Sequence, residues 1–422
     1  MMILDAQNAP EKRLFENLTF GTIVSIVAGG MALAYPAILV LMFQSHDWIL
    51  AANGRPGVTD FLVFWLAGKA ALHGAAAAAY DPHIHHAMEV AAAGHAFKGD
   101  LPWRYSPLFF FVVAPLAFLP YVQAFIIWVG GILALFGAAI ARIAASRTGL
   151  LLACATPAVF INSICGQNGP LTAALIGGAL LFLEERPVLS GIFMALLTYK
   201  PQFGILLPLV LVAGGYWRAL VAAAIATAAG LVASCMVFGV DSLTAFFHFL
   251  PITSNTLLVH GENGFNKIQT VYGMVRWLGF GNGAAWLAQG AVIASAAAAV
   301  LWLWRREVPY ALKAAALACG MLLATPHLYP YDFAALMVTF AFLYRQRLFD
   351  TLELIGVVAA NICIGAFLFL PTPIGLVSIG IAVGLIVRRV AEGLRPAEHA
   401  HRGVASALDS AGISRAGSFS TP

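Results

Sequence analysis

Between residues 18 and 390 the chain is a succession of apolar runs, and this repetition limits what it can fold into. A bilayer crossing takes about 20 predominantly apolar residues, and runs near that length recur along the whole stretch. The chain is 61% hydrophobic and 10% charged, where a soluble domain carries about 25% charged residues. It reads as an all-α integral membrane protein. The first run, 18–43, is too long for a signal-peptide core and is expected to stay as a span. Candidate spans follow at 107–145, 148–164, 169–183, 187–200, 202–216, 219–239, 283–304, 309–325, 329–344, 351–370 and 373–390, giving about 12 transmembrane helices. Several are near 15 residues, short for a full crossing, which suggests broken helices around a cavity.

Basic residues set the expected orientation. With the N-terminus inside, Arg55, Lys69, Lys98, Arg104, Lys200, Lys267 and Arg276 lie outside and the remaining 16 of the 23 Lys and Arg lie inside. Residues 107–145 keep that bias if they cross once, with the start broken by Pro115 and Pro120 lying partly in the interface. The expected organisation is a cytoplasmic tail 1–17, a membrane domain 18–390 with outer loops 44–106 and 240–282, and a disordered cytoplasmic tail 391–422. Cys154, Cys165, Cys235, Cys319 and Cys363 are scattered without metal-ligand spacing and read as small core residues.

The first outer loop concentrates the polar chemistry. Asp47, Asp60, Asp81, Glu89 and Asp100 lie in it, as do six of the 11 histidines: His46, His73, His83, His85, His86 and His95. In a membrane protein such residues sit where water or substrate reaches them. Behind Asp60, the residues Phe61, Phe64, Trp65 and Leu72 can share one face of an amphipathic helix lying in the interface. Asp60 is then either a helix N-cap or a carboxylate held at the lipid boundary, and the two are compatible. A second helix is expected near 83–97 after the Tyr80-Asp81-Pro82 turn. The histidines there lack an i, i+4 pair, so interfacial polarity is favoured over a metal site. Arg104 suits an anionic headgroup or phosphate, or snorkels at the interface.

Three further interruptions stand out. Lys200 breaks an apolar region at a cost of about 3 kcal/mol on insertion scales, unless it snorkels at a helix end. His327 lies between two prolines and either meets substrate or pairs with Asp332. Gln167 and Asn168 serve sugar recognition or helix–helix hydrogen bonding.

Several stretches together resemble glycosyltransferase family 87. DFLVFWLAGKAALHG with YDP (60–74, 80–82) resembles that family's first outer loop. RYSPLFFFVVAPLAFLPY (104–121), GQNGPLTAALIGGALLF (166–182) and GIFMALLTYKPQFGILLPLVLV (191–212) follow in the family's order. FNKIQTVYGMVRWLG (265–279) and ATPHLYPYDFAAL (324–336) match more loosely, so that the likeness spans nearly all of 18–390. The resemblance implies a GT-C-type bundle in the bacterial inner membrane with its site facing outward. It implies an inverting mannosyltransferase that uses a polyprenyl-phosphate sugar donor and a glycolipid or glycan acceptor. Asp60 matches the family's first-loop catalytic acid.

That chemistry needs a base for the acceptor hydroxyl and cations for the departing lipid phosphate. The cations it points to are Arg104, Lys200, Lys267 and Arg276, with His327, Gln167 and Asn168 toward the phosphate or sugar. No cofactor or divalent metal is expected, and membrane lipids but no nucleic acid are the expected partners. A lipid-linked glycan polymerase or ligase would share this site and differ in the size of the unit moved. A lipid or solute transporter would place a polar site at the midplane, yet no internal repeat is visible and the polar residues gather at one face. There is no DxD pair in a soluble domain to hold a nucleotide sugar.

Single cysteines at Gly264 and Gly412 are expected to react with an impermeant label from opposite sides of the membrane. Labelling of both from one side would overturn the orientation.

Overall fold

The computed structural model describes residues 19–46, 48–99, 101–262 and 264–394. The expected tail 1–17, most of the tail 391–422, Asp47 and Asp100 lie outside the described residues. Within them every regular element is helical.

The first helix, α1 (Phe20–Gln44), shows why the chain needs lipid. It buries only Ala28, while Leu33 is 78% and Ile26 62% exposed. Such a surface is stable in hydrocarbon and not in water. Thr19 caps it, accepting from the Thr22 N–H at 3.3 Å. There follow α2 (Asp60–Leu72) and α3 (Pro82–Ala93), then a short α4 (Phe110–Ala117) and the 24-residue α5 (Tyr121–Ala144). Only α5 in the 107–145 stretch is long enough to cross, in keeping with a single crossing there.

The pair α6 (Arg147–Cys154) and α7 (Pro157–Cys165) is bent by 49°. It leads into α8 (Gly169–Phe182), α9 (Pro187–Leu197), α10 (Leu207–Ala213) and α11 (Trp217–Phe238). Next come α12 (Val240–Ser254), prolonged by a π-helical turn Asn255–His260, then α13 (Val271–Trp277) and α14 (Asn282–Trp304). The chain closes with α15 (Tyr310–Ala324), a 3-10 turn Pro330–Ala335, α16 (Leu336–Gln346), α17 (Thr351–Ala366) and α18 (Gly375–Leu394). Helix α8 is the hub: nearly all of it is buried, and it packs on α5, α9 and the Pro330–Ala335 turn.

Among the described residues five helices are long and apolar enough to cross a membrane, or six if the bent α6–α7 pair is one span. Six further apolar helices have 10–17 residues. The short runs seen in the sequence are therefore short helices with breaks at Pro157, Pro187 and Pro201, where proline suits a first helical turn and cannot continue an earlier one.

Four expectations change. Helix α2 is not a one-faced interfacial helix: Phe61, Leu62, Val63, Phe64, Leu66 and Ala67 are all buried. It lies against α4 on one side, while the Phe61 ring meets Tyr121 and Phe125 of α5 on another. The 240–282 stretch is not simply an outer loop. It opens with Val240–His260, a helical run apolar enough to qualify as a span despite Asp241, His248 and Asn255. The last helix runs to Leu394, past the expected boundary at 390. Helix α3 also stops early, at Ala93, where Gly94 takes a left-handed C-cap.

One end of the bundle is tied by charge. Arg389, 2% exposed, grips the fully buried Glu353 through Nε and Nη2, both at 2.8 Å. Arg347 donates to the same carboxylate at 3.0 Å, and Arg388 pairs with Asp350 at 2.6 Å. This joins α16, α17 and α18. Glu353→Ala would strand a buried guanidinium, so it should lower stability by about 3–5 kcal/mol. Loss of the exposed Glu392 should change it little. Equal melting shifts for the two variants in detergent would contradict the knot.

Candidate active site

Asp60 begins α2, and Thr59 before it occupies the N-cap position. Thr59 is the N-cap but makes no side-chain cap bond; its hydroxyl meets Tyr121 Oη at 3.0 Å. Asp60 is therefore the first helical residue, not the cap, and its carboxylate is free to point elsewhere. It accepts from Gln167 Nε2 at 3.0 Å.

Gln167 arrives there because of two glycines. Gly166 ends α7 with φ +71°, and a Cβ on it would lie 2.6 Å from the Phe61 Cβ. Its carbonyl accepts from Trp128 Nε1 at 2.9 Å. Gly169 opens α8, and a Cβ there would meet the Tyr331 carbonyl oxygen at 2.0 Å. Only glycine allows the left-handed turn and the close approach of two backbones. The GQNG stretch thus packs the α7–α8 turn between the head of α2 and the 329–335 segment.

These elements enclose a cavity of about 520 Å³ lined by Asp60, Arg104, Gln167, Lys200, His327 and Asp332 among others. Part of its lining comes from α12 and the π-helical turn, through Phe246, Leu250, Leu257 and Leu258, and Lys267 also lines it. Six residues singled out in the sequence are thereby brought together: Asp60, Arg104, Gln167, Lys200, Lys267 and His327. They come from segments as far apart in sequence as residues 60 and 327.

Two are not. Asn168 is fully buried in the α7–α8 turn, and its carbonyl accepts from Thr172 Oγ1 at 3.2 Å. Arg276 spends its guanidinium on the Val259 carbonyl at 2.8 Å and the Phe280 carbonyl at 3.0 Å, and stacks on Phe265. It clamps the π-helical turn to α13 and lines no part of the cavity.

The electrostatics follow from burial. Asp60 lies outside the long apolar helices, and burial pushes its carboxyl above the usual range. The Gln167 hydrogen bond and the positive fields of Arg104, Lys267 and Lys200 oppose that rise. A helix N-terminus by itself favours the ionised form of a carboxylate. Desolvation outweighs that effect here. His327 is pushed down to about 3 by burial, with Arg104 and Lys200 adding to the effect, so its imidazole is neutral.

Lys200 does not stand alone. Its Nζ donates to Asp332 Oδ1 at 2.7 Å, both side chains being buried. Asp332 also accepts from the Tyr329 N–H at 3.1 Å, which fixes the turn that carries His327 and Tyr329. The alternative pairing of His327 with Asp332 is thus not formed. His327 Nε2 and Arg104 Nε are buried and lack a hydrogen-bond partner among the described residues. Two polar groups without protein partners in one cavity leave donors and acceptors for a ligand. The sequence missed Asp332 as the partner of Lys200 and gave Tyr105 no role. Asp332 stood in a quoted motif, but nothing in a linear string ties it to a lysine 132 residues away.

Arg104 is set by a neighbouring latch. The fully buried Glu89 of α3 accepts from the Leu101 N–H at 3.2 Å and meets His86 Nδ1 at 3.0 Å. Trp103, also fully buried, stacks on Phe110 at 5.1 Å. His86 thus serves the loop's own structure. Among the described residues no group of three or more His, Cys, Asp or Glu forms a candidate metal site.

The family model for glycosyltransferase family 87 matches residues 103–326, more than half of the chain. The match takes in Arg104, Gln167 and Lys200. It starts after Asp60 and ends one residue before His327, which the fold brings to the same cavity. No curated protein and no solved structure matches the chain.

The Lys200–Asp332 pair predicts reciprocal rescue. Lys200→Met and Asp332→Asn each strand or weaken a buried partner and should lower stability by about 3 kcal/mol or more. The double variant should recover most of that loss in a melting measurement. Additive losses would show that the two groups do not depend on each other.

Proposed function

The chain belongs to glycosyltransferase family 87, and we propose that it moves a single mannose from a polyprenyl-phosphate donor to a hydroxyl of a glycolipid or glycan acceptor. The reaction inverts the anomeric centre and takes place at the outer face of a bacterial inner membrane, in a GT-C-type bundle. One observation carries the reading. A half-buried carboxylate of raised pKa, Asp60, shares a cavity with Arg104 and Lys200 and with the neutral His327, whose Nε2 lacks a hydrogen-bond partner among the described residues.

In this scheme Asp60 takes the proton of the acceptor hydroxyl as its oxygen attacks the anomeric carbon. The bond from that carbon to the phosphate oxygen breaks, and its electron pair leaves with the lipid phosphate. Arg104 offers a fork of N–H donors to the departing phosphate. Asp332 engages one of the three ammonium donors of Lys200, which leaves the others for the same group. Charge that develops on the phosphate is met by fixed cations, so the transfer calls for no divalent metal. Neutral His327 donates or accepts according to its tautomer, which suits a sugar hydroxyl or a phosphate oxygen. The apolar wall of α12 is where the lipid end of the substrates lies.

The raised pKa has a kinetic signature. Only ionised Asp60 accepts a proton, so kcat/KM should rise with pH through its pKa, along a limb above the ordinary carboxylate range. Asp60→Asn keeps the shape and cannot take a proton. It should cut turnover of polyprenyl-phosphate mannose by at least about 10²-fold and leave donor binding nearly intact. A folded Asp60→Asn enzyme with near-normal turnover would remove Asp60 from the mechanism.

A further inference from the structure

The base itself is held by a contact that the reaction scheme leaves unexplained. Gln167 Nε2 donates to Oδ2 of Asp60 at 3.0 Å, and Gln167 Oε1 accepts from the Tyr105 hydroxyl at 3.1 Å. Among the described residues no hydrogen bond reaches Oδ1. We propose that Tyr105 and Gln167 are positioning residues for the base. Together they commit Oδ2 of Asp60 to the protein and leave Oδ1 to take the proton of the acceptor hydroxyl. This rests on the reading of Asp60 as the base.

The polarity of the chain of contacts is forced. A carboxylate only accepts, so an ionised Asp60 must face the amide nitrogen of Gln167 and not its oxygen. The amide oxygen then faces Tyr105, which must donate. Burial pushes the Tyr105 phenol well above its usual range, so it keeps its proton and remains a standing donor. A Gln167 amide without that donor is free to turn over, and a turned amide sets an oxygen against the carboxylate.

Tyr105 is suited to the task because its ring is closely packed. It packs edge-on to Phe64 at 5.3 Å and Trp103 at 5.1 Å, and stacks with Tyr199 at 6.0 Å. Its carbonyl accepts from Tyr80 Oη at 2.8 Å. The aromatic cluster beneath the first loop thereby sets the direction of one hydrogen bond, and through it the direction of the base. Every one of these ring contacts survives removal of the hydroxyl, which makes Tyr105→Phe a clean deletion of the donor.

The sign of the effect follows. The Gln167 N–H stabilises the ionised carboxylate and lowers its pKa, so losing or misorienting it raises the pKa further. With polyprenyl-phosphate mannose as donor and a membrane lipid extract as the acceptor source, Tyr105→Phe should lower kcat about tenfold, with donor KM little changed. The acid limb of kcat/KM should move upward by on the order of one pH unit. Gln167→Ala should move the limb in the same direction. Adding Tyr105→Phe to Gln167→Ala should then change nothing more, because the hydroxyl acts through the amide. An unmoved limb in Tyr105→Phe, or additive effects in the double variant, would overturn the relay while an inactive Asp60→Asn leaves the base in place. Full activity in Asp60→Asn would instead remove the base, and the relay with it.

Discussion

A carboxylate taken out of water must be met by donors or give up its charge. Asp60 stands at that boundary, and much of the molecule is arranged to hold it there. Burial at the head of α2 raises its pKa, while one amide and three cations pull the other way. A raised pKa makes a carboxylate a stronger base than an exposed aspartate, at the cost of a smaller ionised fraction at any given pH.

That balance depends on a cavity, and the cavity depends on helices too short to cross. Apolar helices of 10–17 residues end inside the protein. Their free ends release turns such as 166–169 and 329–335, whose polar backbone is tolerable only beside protein or a water-filled space. The two turns touch where Gly169 lets the Tyr331 carbonyl approach, which brings Gln167, Lys200 and Asp332 within reach of the first outer loop. The π-helical turn Asn255–His260 and α12 present mostly aliphatic and aromatic side chains to the same space, and π-turns recur at functional sites. The cavity lining thus combines charged groups with an apolar stretch.

Much of this arrangement was legible in the sequence because membrane physics is local. Residues such as Asp60, Lys200 and His327 are costly in an apolar chain, so their presence alone marks a site, and all three line the cavity. Segment lengths were legible for the same reason, and the short runs are short helices. What the sequence could not carry was pairing at a distance. Lys200 looked like a solitary cation until Asp332 lay beside it. Arg276 looked equivalent to Arg104 until its guanidinium was seen on two backbone carbonyls. The α2 pattern misled because Phe61, Phe64 and Trp65 do lie on one face, and only packing against α4 and α5 shows that the other faces are covered as well. That α2 starts at Asp60, with Thr59 in the N-cap position, is set by backbone geometry that no spacing rule encodes.

The most direct test of the account is a structure of the protein with a non-transferable polyprenyl-phosphate sugar analogue bound. The account predicts the phosphate against Arg104 and Lys200, the lipid chain along α12, and the anomeric carbon facing Oδ1 of Asp60 across the space left for the acceptor hydroxyl. A phosphate bound outside the 520 Å³ cavity, or an anomeric carbon turned away from Asp60, would contradict it.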